Sequence, residues 1–347
     1  MLDLLQVSLG TTHGLRVSDA WFARFAEQAG LTVETVAVRI GLMDRLRRGY
    51  PINDLVEALA ARRATYAAVR RLGPRAVVFS TTTTSLLAPD LGRPYAVRLD
   101  APAALNRPGL RNALLHTLER RSLAGATLVL PTSAAAERAL PPGSAPAVVV
   151  PPPVVVQQVD FESVREPVAV GYTPDPKAKG LDILCGAWRA ANVPADARLE
   201  VFGIEPERAR RHLRRAGISE PDNVVWRGLV SAEEFHAALG RCRMFLTSAR
   251  WEDFGMAQLE ALALGALLVC APARGPFEAG AIARRLKPEL VAADQTLDAL
   301  SGSISSAFAL DDRQLGAYRA QAARMLGPYR ADAVARTIAE RVLPKLL

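Results

Sequence analysis

Glu252 and Glu260 lie eight positions apart in "RWEDFGMAQLEALALGALLV", residues 250–269, on either side of the pair Phe254-Gly255. The apolar run "MFLTS" before them reads as a strand, and the residues from Met256 to Gly265 read as a helix that ends on a glycine. Gly255 then lets the backbone approach a ligand, and the unpaired N–H groups at the helix start suit an anion such as a diphosphate. Glu252 falls in the loop before the helix and Glu260 about one turn inside it. That separation points the carboxylates at two parts of one extended ligand, where each accepts hydrogen bonds from hydroxyls. Two carboxylates that hydrolyse a glycosidic bond would instead face that one bond across a few ångströms. Taken alone, the two residues fit ordinary complementation of a helix dipole better than a ligand site.

The elements that would position these groups repeat along the chain. Short apolar runs, "LLQVSL", "TVETVAVR", "AVVFST", "YAVRL" and "TLVLPT", alternate with the helical spacings of "SDAWFARFAEQAG" and "NDLVEALAARRATYAAVRRLG". After the proline-rich "PPGSAPAVVVPPPVVV", residues 141–156, which reads as a linker, the alternation resumes. "VAVGYT", "RLEVFG", "VVWRG", "MFLTS" and "ALLVCA" are its strands, with helices between them. This predicts an α/β protein of two doubly wound, Rossmann-like domains, with ligands held by the loops beyond the carboxyl ends of the strands. Those loops are "GTTHG" in the first half and "YTPDPKAKG", "IEPE" and "ARWEDFG" in the second.

Composition narrows the partners. The chain has 347 residues, half of them hydrophobic, enough for two domains of ordinary size. No apolar run approaches the roughly 18 residues of a membrane helix, and the first residues lack the form of a signal peptide. The expected location is cytoplasmic. Cys185, Cys242 and Cys270 are far apart in apolar surroundings, which predicts buried free thiols rather than disulfides or zinc ligands. The net charge of +8 calls for an anionic partner. Its arginines are scattered and mixed with acids, so a phosphorylated small molecule fits better than nucleic acid. The same charge allows a lipid-phosphate acceptor and peripheral contact with the inner face of a membrane, although no segment is distinctively amphipathic.

The segment "EDFGMAQLE", with "ALALGALLVCAPARGPFE" after it, resembles the E-x7-E signature of retaining GT-B glycosyltransferases, the group 1 or family 4-like class. "VAVGYTPDPKAKGLDIL", "RLEVFGIEPE" and "VVWRGLVSAEEFHAAL" are similar to further family segments in the same order, over roughly residues 168–280. The resemblance implies two domains facing each other across a cleft: an acceptor domain over residues 1–150, a nucleotide-sugar domain over 151–326, and a final helix over 327–347 that crosses back to the first. It implies that Glu252 contacts the transferred sugar and Glu260 the ribose. Phe254, Gly255, Met256 and Ala257 would present backbone to sugar and diphosphate, and Leu229 would lie near the base. Lys179, with Lys177, would neutralise the departing diphosphate; the family's arginine is replaced here by Tyr172 or Thr173. Gly10, Thr11, Gly171, Tyr172 and Gly203 complete the expected donor site.

A donor such as a UDP- or GDP-linked sugar needs no cofactor, and with cationic side chains at the diphosphate no metal either; no paired-aspartate motif follows a strand as a metal site would require. On the acceptor side, His13 has the pKa of a base, or it caps a turn. Arg16 and Asp19, at the start of the next helix, and Asp100 and Asn106, after another strand, are candidates for the acceptor, each with a local structural role as the alternative. His116, His212 and His236 are expected on solvated helix faces. Two rival functions remain: a non-catalytic sugar-nucleotide-binding protein, and an epimerase or hydrolase on the same plan.

Overall fold

The computed structural model describes residues 1–10, 13–46, 49–88, 91–155 and 165–347. The chain divides into two compact units, Met1–Pro153 with Ala331–Leu347, and Val154–Arg330.

In unit 1 the strands are β1 (Leu4–Ser8), β2 (Val33–Ala37), β3 (Ala76–Phe79), β4 (Tyr95–Leu99) and β5 (Leu128–Pro131). All run parallel, in the order β2-β1-β3-β4-β5. The helices are α1 (His13–Gln28), α2 (Ile52–Leu72), α3 (Thr82–Ser85), α4 (Ala103–Asn106), α5 (Ala113–Gly125) and α6 (Ala134–Arg138). Strands buried on both faces need apolar side chains in both directions, and β3 and β5 accordingly read AVVF and LVLP, buried throughout. The α1 face packs Phe22, Phe25 and Ala26 on Leu4, Val78 and Leu130; the opposite face packs α2 and α5 through Ala60, Ala61 and Leu123 on Val77 and Phe79.

The proline-rich stretch read as a linker is largely part of this unit. Val148 donates its N–H to the Val129 carbonyl and Val150 to that of Pro131, and both side chains are buried. Its prolines are tolerated because the segment lies at an edge of the sheet, where one side of the backbone has no ladder to complete. Val334, Ile338 and Val342 from the last residues are buried in the same core. They lie on α14 (Ala331–Thr337) and the π turn Ile338–Val342, which runs into α15 (Leu343–Leu346).

Unit 2 has β6 (Glu166–Tyr172), β7 (Arg198–Phe202), β8 (Val224–Gly228), β9 (Cys242–Thr247) and β10 (Leu267–Cys270), parallel in the order β10-β9-β6-β7-β8. Its helices are α7 (Leu181–Ala190), α8 (Pro206–Ala216), α9 (Ala232–Arg241), α10 (Met256–Ala263), α11 (Glu278–Leu286), α12 (Leu297–Phe308) and α13 (Asp312–Met325). The chain moves outward from β6 to β8 and then returns to the other side of β6 with β9. The strand order therefore reverses between β6 and β9, and the loops after these two strands border the place where open parallel sheets hold ligands.

Three arginines of this unit close helix ends. Arg165 donates to the carbonyls of Leu239 and Gly240 at the end of α9 and of Leu264 at the end of α10. Arg243 closes α12 through the carbonyls of Ala307, Phe308 and Leu310, and Arg319 donates to that of Gly265. A helix end leaves unpaired carbonyls and a partial negative charge, both of which a guanidinium answers. Cys185, Cys242 and Cys270 are free and buried. Burial pushes the Cys242 and Cys270 thiols up to about 12.

Candidate functional site

Where the strand order of unit 2 reverses, three loops are bonded to one another. Arg250 of the loop after β9 donates its N–H to the Ala178 carbonyl in the loop after β6, and Ser248 Oγ donates to the Gly180 carbonyl at 2.8 Å. The third loop, after β10, joins through Glu252 N–H to the Arg274 carbonyl and Phe277 N–H to the Glu252 carbonyl. These approaches leave no room for side chains. A Cβ on Gly180 (φ 65°) would lie 2.1 Å from the Ser248 carbonyl oxygen, and one on Gly275 (φ 100°) 2.5 Å from that of Glu252.

Glu252 projects from this junction. Lys179 Nζ donates to its Oε2 at 2.7 Å and Gln258 Nε2 to the same atom at 2.9 Å. The pair is mostly shielded from water, and an ammonium carries three N–H donors, so Lys179 can hold Glu252 and still offer hydrogen bonds to a ligand. Gly255 (φ 93°) precedes α10, where a Cβ would meet the Ala279 Cβ at 2.8 Å. No side chain caps that helix start. Met256 and Ala257 are half-buried in its first turn, while Phe254 is buried with its ring against Tyr329, so it contributes backbone alone.

Glu260 lies on the same helix with His236 of α9 beside it, Nε2 to Oε2 3.4 Å. Burial raises the Glu260 pKa and the imidazole opposes that shift. His236 is thus not on a solvated face as expected. Neither is His212, whose Nε2 lies 3.5 Å from Asp182 Oδ1, nor His116, whose Nε2 lies 2.9 Å from the Arg107 carbonyl oxygen.

Where the family has its arginine, Tyr172 is half exposed and tilts against Phe235, and Thr173 is buried. Neither carries charge. Lys177 is exposed, and its carbonyl accepts from Arg250, whose guanidinium also grips Asp182 at 2.7 and 3.1 Å. Arg208 holds the same loop from α8 by donating to the Pro174 carbonyl at 3.1 Å. Gly203 (φ 83°) makes room for the Tyr172 ring, and Leu229 stands exposed in the loop after β8. Gly171 departs from its expected donor role: it is buried in β6, where a Cβ would press on Leu184 Cδ1 at 3.1 Å, so its smallness serves packing.

In unit 1, Gly10 (φ 58°) follows β1 and its carbonyl accepts from Arg16, which is exposed. Thr11 and the His13 side chain lie outside the described residues. Asp19 does not offer its carboxylate to a ligand: it is buried, accepts from Arg98 at 2.8 Å and from Ser8, and so is engaged within the fold. Asp100 and Asn106 are exposed beyond β4. Gln258, His236 and Arg250 are contributors that the sequence reading missed. The lone signal for Gln258 was its position between the two glutamates; His236 lies on another element and had none.

Residues 166–308 match the family model described as "Glycosyl transferases group 1". This segment is similar to a glycosyltransferase group 1 domain. No curated protein matches the chain. Solved structures match nearly its whole length at low identity, so the likeness establishes the fold, two Rossmann-like domains of the GT-B type. Sucrose-phosphate synthase from Thermosynechococcus elongatus aligns at 15% identity with a TM-score of 0.74, covering 98% of this chain and 98% of that one. HepE of Anabaena, in complex with UDP-glucose, aligns at 14% and 0.68, covering 98% and 99%. WaaG, a glycosyltransferase involved in lipopolysaccharide biosynthesis, aligns at 11% and 0.69, covering 97% and 98%. Among the described residues of unit 2, Glu252, Lys179, Gln258 and Gly255 converge where the strand order reverses, with Glu260 further along α10 and His236 reaching it from α9.

Proposed function

We propose that the chain transfers a sugar from a UDP- or GDP-linked donor to an acceptor hydroxyl, with retention of configuration and without a metal, in the cytoplasm. The observation that carries this reading is the Lys179–Glu252 pair beside the uncapped start of α10, with Glu260 on the same helix. A nucleotide sugar is long enough to span these groups. Its ribose hydroxyls suit Glu260, its diphosphate suits Lys179, Lys177 and the N–H groups after Gly255, and its sugar hydroxyls suit Glu252. Leu229 offers the base an apolar neighbour. Breaking the sugar–phosphate bond loads charge on the departing diphosphate, so fixed cations and backbone donors stabilise the transition state more than the ground state. Asp100, Asn106 and Arg16 remain the acceptor-side candidates, for a sugar, small-molecule or lipid-linked acceptor.

Sugar release from a panel of nucleotide sugars, with and without acceptor extracts, tests the reading. Acceptor-dependent turnover of one donor is expected; binding without turnover would make the protein a non-catalytic sugar-nucleotide-binding protein, and acceptor-independent conversion an epimerase or hydrolase. Activity is expected to survive EDTA, and loss restored by magnesium or manganese would sink the metal-free clamp. Glu260→Ala is expected to weaken nucleotide binding by about 1–3 kcal/mol, read by calorimetry. Because burial raises the Glu260 pKa while His236 lowers it, wild-type affinity should fall as pH drops through that raised value. His236→Ala should move the midpoint upward. A folded Glu260→Ala protein with unchanged affinity would remove the ribose role.

A further inference from the structure

Glu252 does not present its two oxygens equally. Lys179 Nζ donates to Oε2 at 2.7 Å, and Gln258 Nε2 donates to that same oxygen at 2.9 Å. Among the described residues no group donates to Oε1, and that atom is not sealed from solvent. Oε1 is therefore the oxygen left for a ligand.

Gln258 is unusual for its place. It is only 4% exposed on α10, between Ala257 and Leu259, where a leucine would fill the same space with no polar group to satisfy. Its carboxamide folds back over the turn before the helix: Cδ and Oε1 lie 3.4 Å from where a Gly255 Cβ would stand. An ionised carboxylate only accepts, so the amide presents Nε2 to Glu252 and turns Oε1 away from it. Packing around the buried amide thus fixes the carboxylate's rotation.

We propose that Gln258 is a positioning residue for sugar recognition: it holds Glu252 so that Oε1 faces the hydroxyls of the transferred sugar, and the site thereby distinguishes a nucleotide sugar from the bare nucleotide. The inference rests on the reading of this site as one for a nucleotide sugar. Lys179 is a shared partner, since its ammonium answers both Glu252 and the diphosphate. The Gln258 amide is neutral, so the charge that a nucleotide brings does not compete for it. Loss of the amide is therefore felt in the binding of the sugar and not in that of the nucleotide.

The test is calorimetry on the full chain with UDP and GDP, and with UDP-glucose, UDP-galactose and GDP-mannose. In Gln258→Leu the affinity for the nucleotide should match that of the wild type, while affinity for the nucleotide sugar that the wild type binds should fall about tenfold or more, as for a lost hydrogen bond to a charged group. Gln258→Glu keeps the size of the side chain and adds a readout that packing alone would not move. At low pH the introduced carboxyl is protonated and donates to Glu252 as the amide does; at higher pH two carboxylates within hydrogen-bond distance repel. The affinity of this variant relative to the wild type at each pH, a ratio that cancels the titration of Glu260, should therefore fall as pH rises. Charged groups on the neighbouring helices are engaged elsewhere: His236 of α9 with Glu260, Glu278 of α11 with the Tyr329 hydroxyl, and Arg319 of α13 with the Gly265 carbonyl. If Gln258→Leu lowers the thermal melt, Gln258→Glu carries the test. Unchanged affinity for the nucleotide sugar in a folded Gln258→Leu protein, equal weakening of nucleotide and nucleotide sugar, or a flat ratio in Gln258→Glu would overturn the inference and leave the donor reading standing. A wild type that binds none of the nucleotide sugars would remove the donor reading, and the inference with it.

Discussion

Lys179→Ala is expected to lower turnover of the nucleotide sugar by about 10²–10³-fold, the range seen when one preorganised donor to a developing anion is lost. Lys179 is held by Glu252 at 2.7 Å on a loop that the Gly180–Ser248 contact fixes, so its charge needs no rearrangement when the diphosphate departs. The effect should fall on kcat more than on KM, because the charge grows in the transition state. Lys179→Arg should keep part of the rate. Nucleotide affinity measured alongside separates loss of binding from loss of catalysis; a Lys179→Ala enzyme within a few-fold of wild-type kcat would remove the lysine from the mechanism.

Glu200→Ala is expected to have the largest effect on stability. Its carboxylate is fully buried on β7 and accepts from three arginines: Arg198 at 3.1 Å, Arg227 at 2.9 Å and Arg241 at 2.6 Å. Burial alone would raise its pKa, but the hydrogen bonds from Arg227, Arg241 and Arg198 win and bring it to about 2. Removing the carboxylate leaves three guanidinium groups facing one another. Breaking a buried pair costs about 3–5 kcal/mol, and the partial exposure of these arginines puts the expectation at the lower end. Since the folded pKa lies below the ordinary carboxylate value, the stabilisation is present at neutral pH and is lost as pH falls from about 4.5 towards 2. Urea unfolding followed by tryptophan fluorescence in a Trp21→Phe background, where Trp188, Trp226 and Trp251 of unit 2 report, reads both effects. An unchanged midpoint in Glu200→Ala at neutral pH would mean the cluster is dispensable.

How much was legible in the sequence varied with the range of the interaction. Runs such as "AVVF" and "LVLP" name their strands because a doubly covered parallel sheet leaves no polar position in them. The four-residue helices α3 and α4 left no trace, since four residues hold barely one period. Prolines around Val148 and Val150 argued for a linker, but an edge segment pairs on one side and needs only the N–H groups that prolines do not occupy. In the site, Glu252, Gly255 and Glu260 share one motif and could be read together. That Gln258 turns back onto Glu252, or that α9 brings His236 to Glu260, depends on rotamers and helix packing that spacing does not encode. Asp19 shows the converse: a carboxylate at a helix start was a candidate for the acceptor, or a helix charge, when its partner, Arg98, lay two strands away in the sheet order.

The return of the final residues into unit 1 bears on how the polypeptide is made. Unit 2 is one continuous stretch, whereas the α1 face of unit 1 packs on Val334, Ile338, Val342, Leu343 and Leu346. During synthesis, therefore, the unit that leaves the ribosome first is completed last. Leu4, Phe22 and Val78 must wait with an apolar face uncovered while all of Val154–Arg330 is translated, a period in which chaperones have a surface to hold and a stalled or truncated chain has a surface to aggregate through.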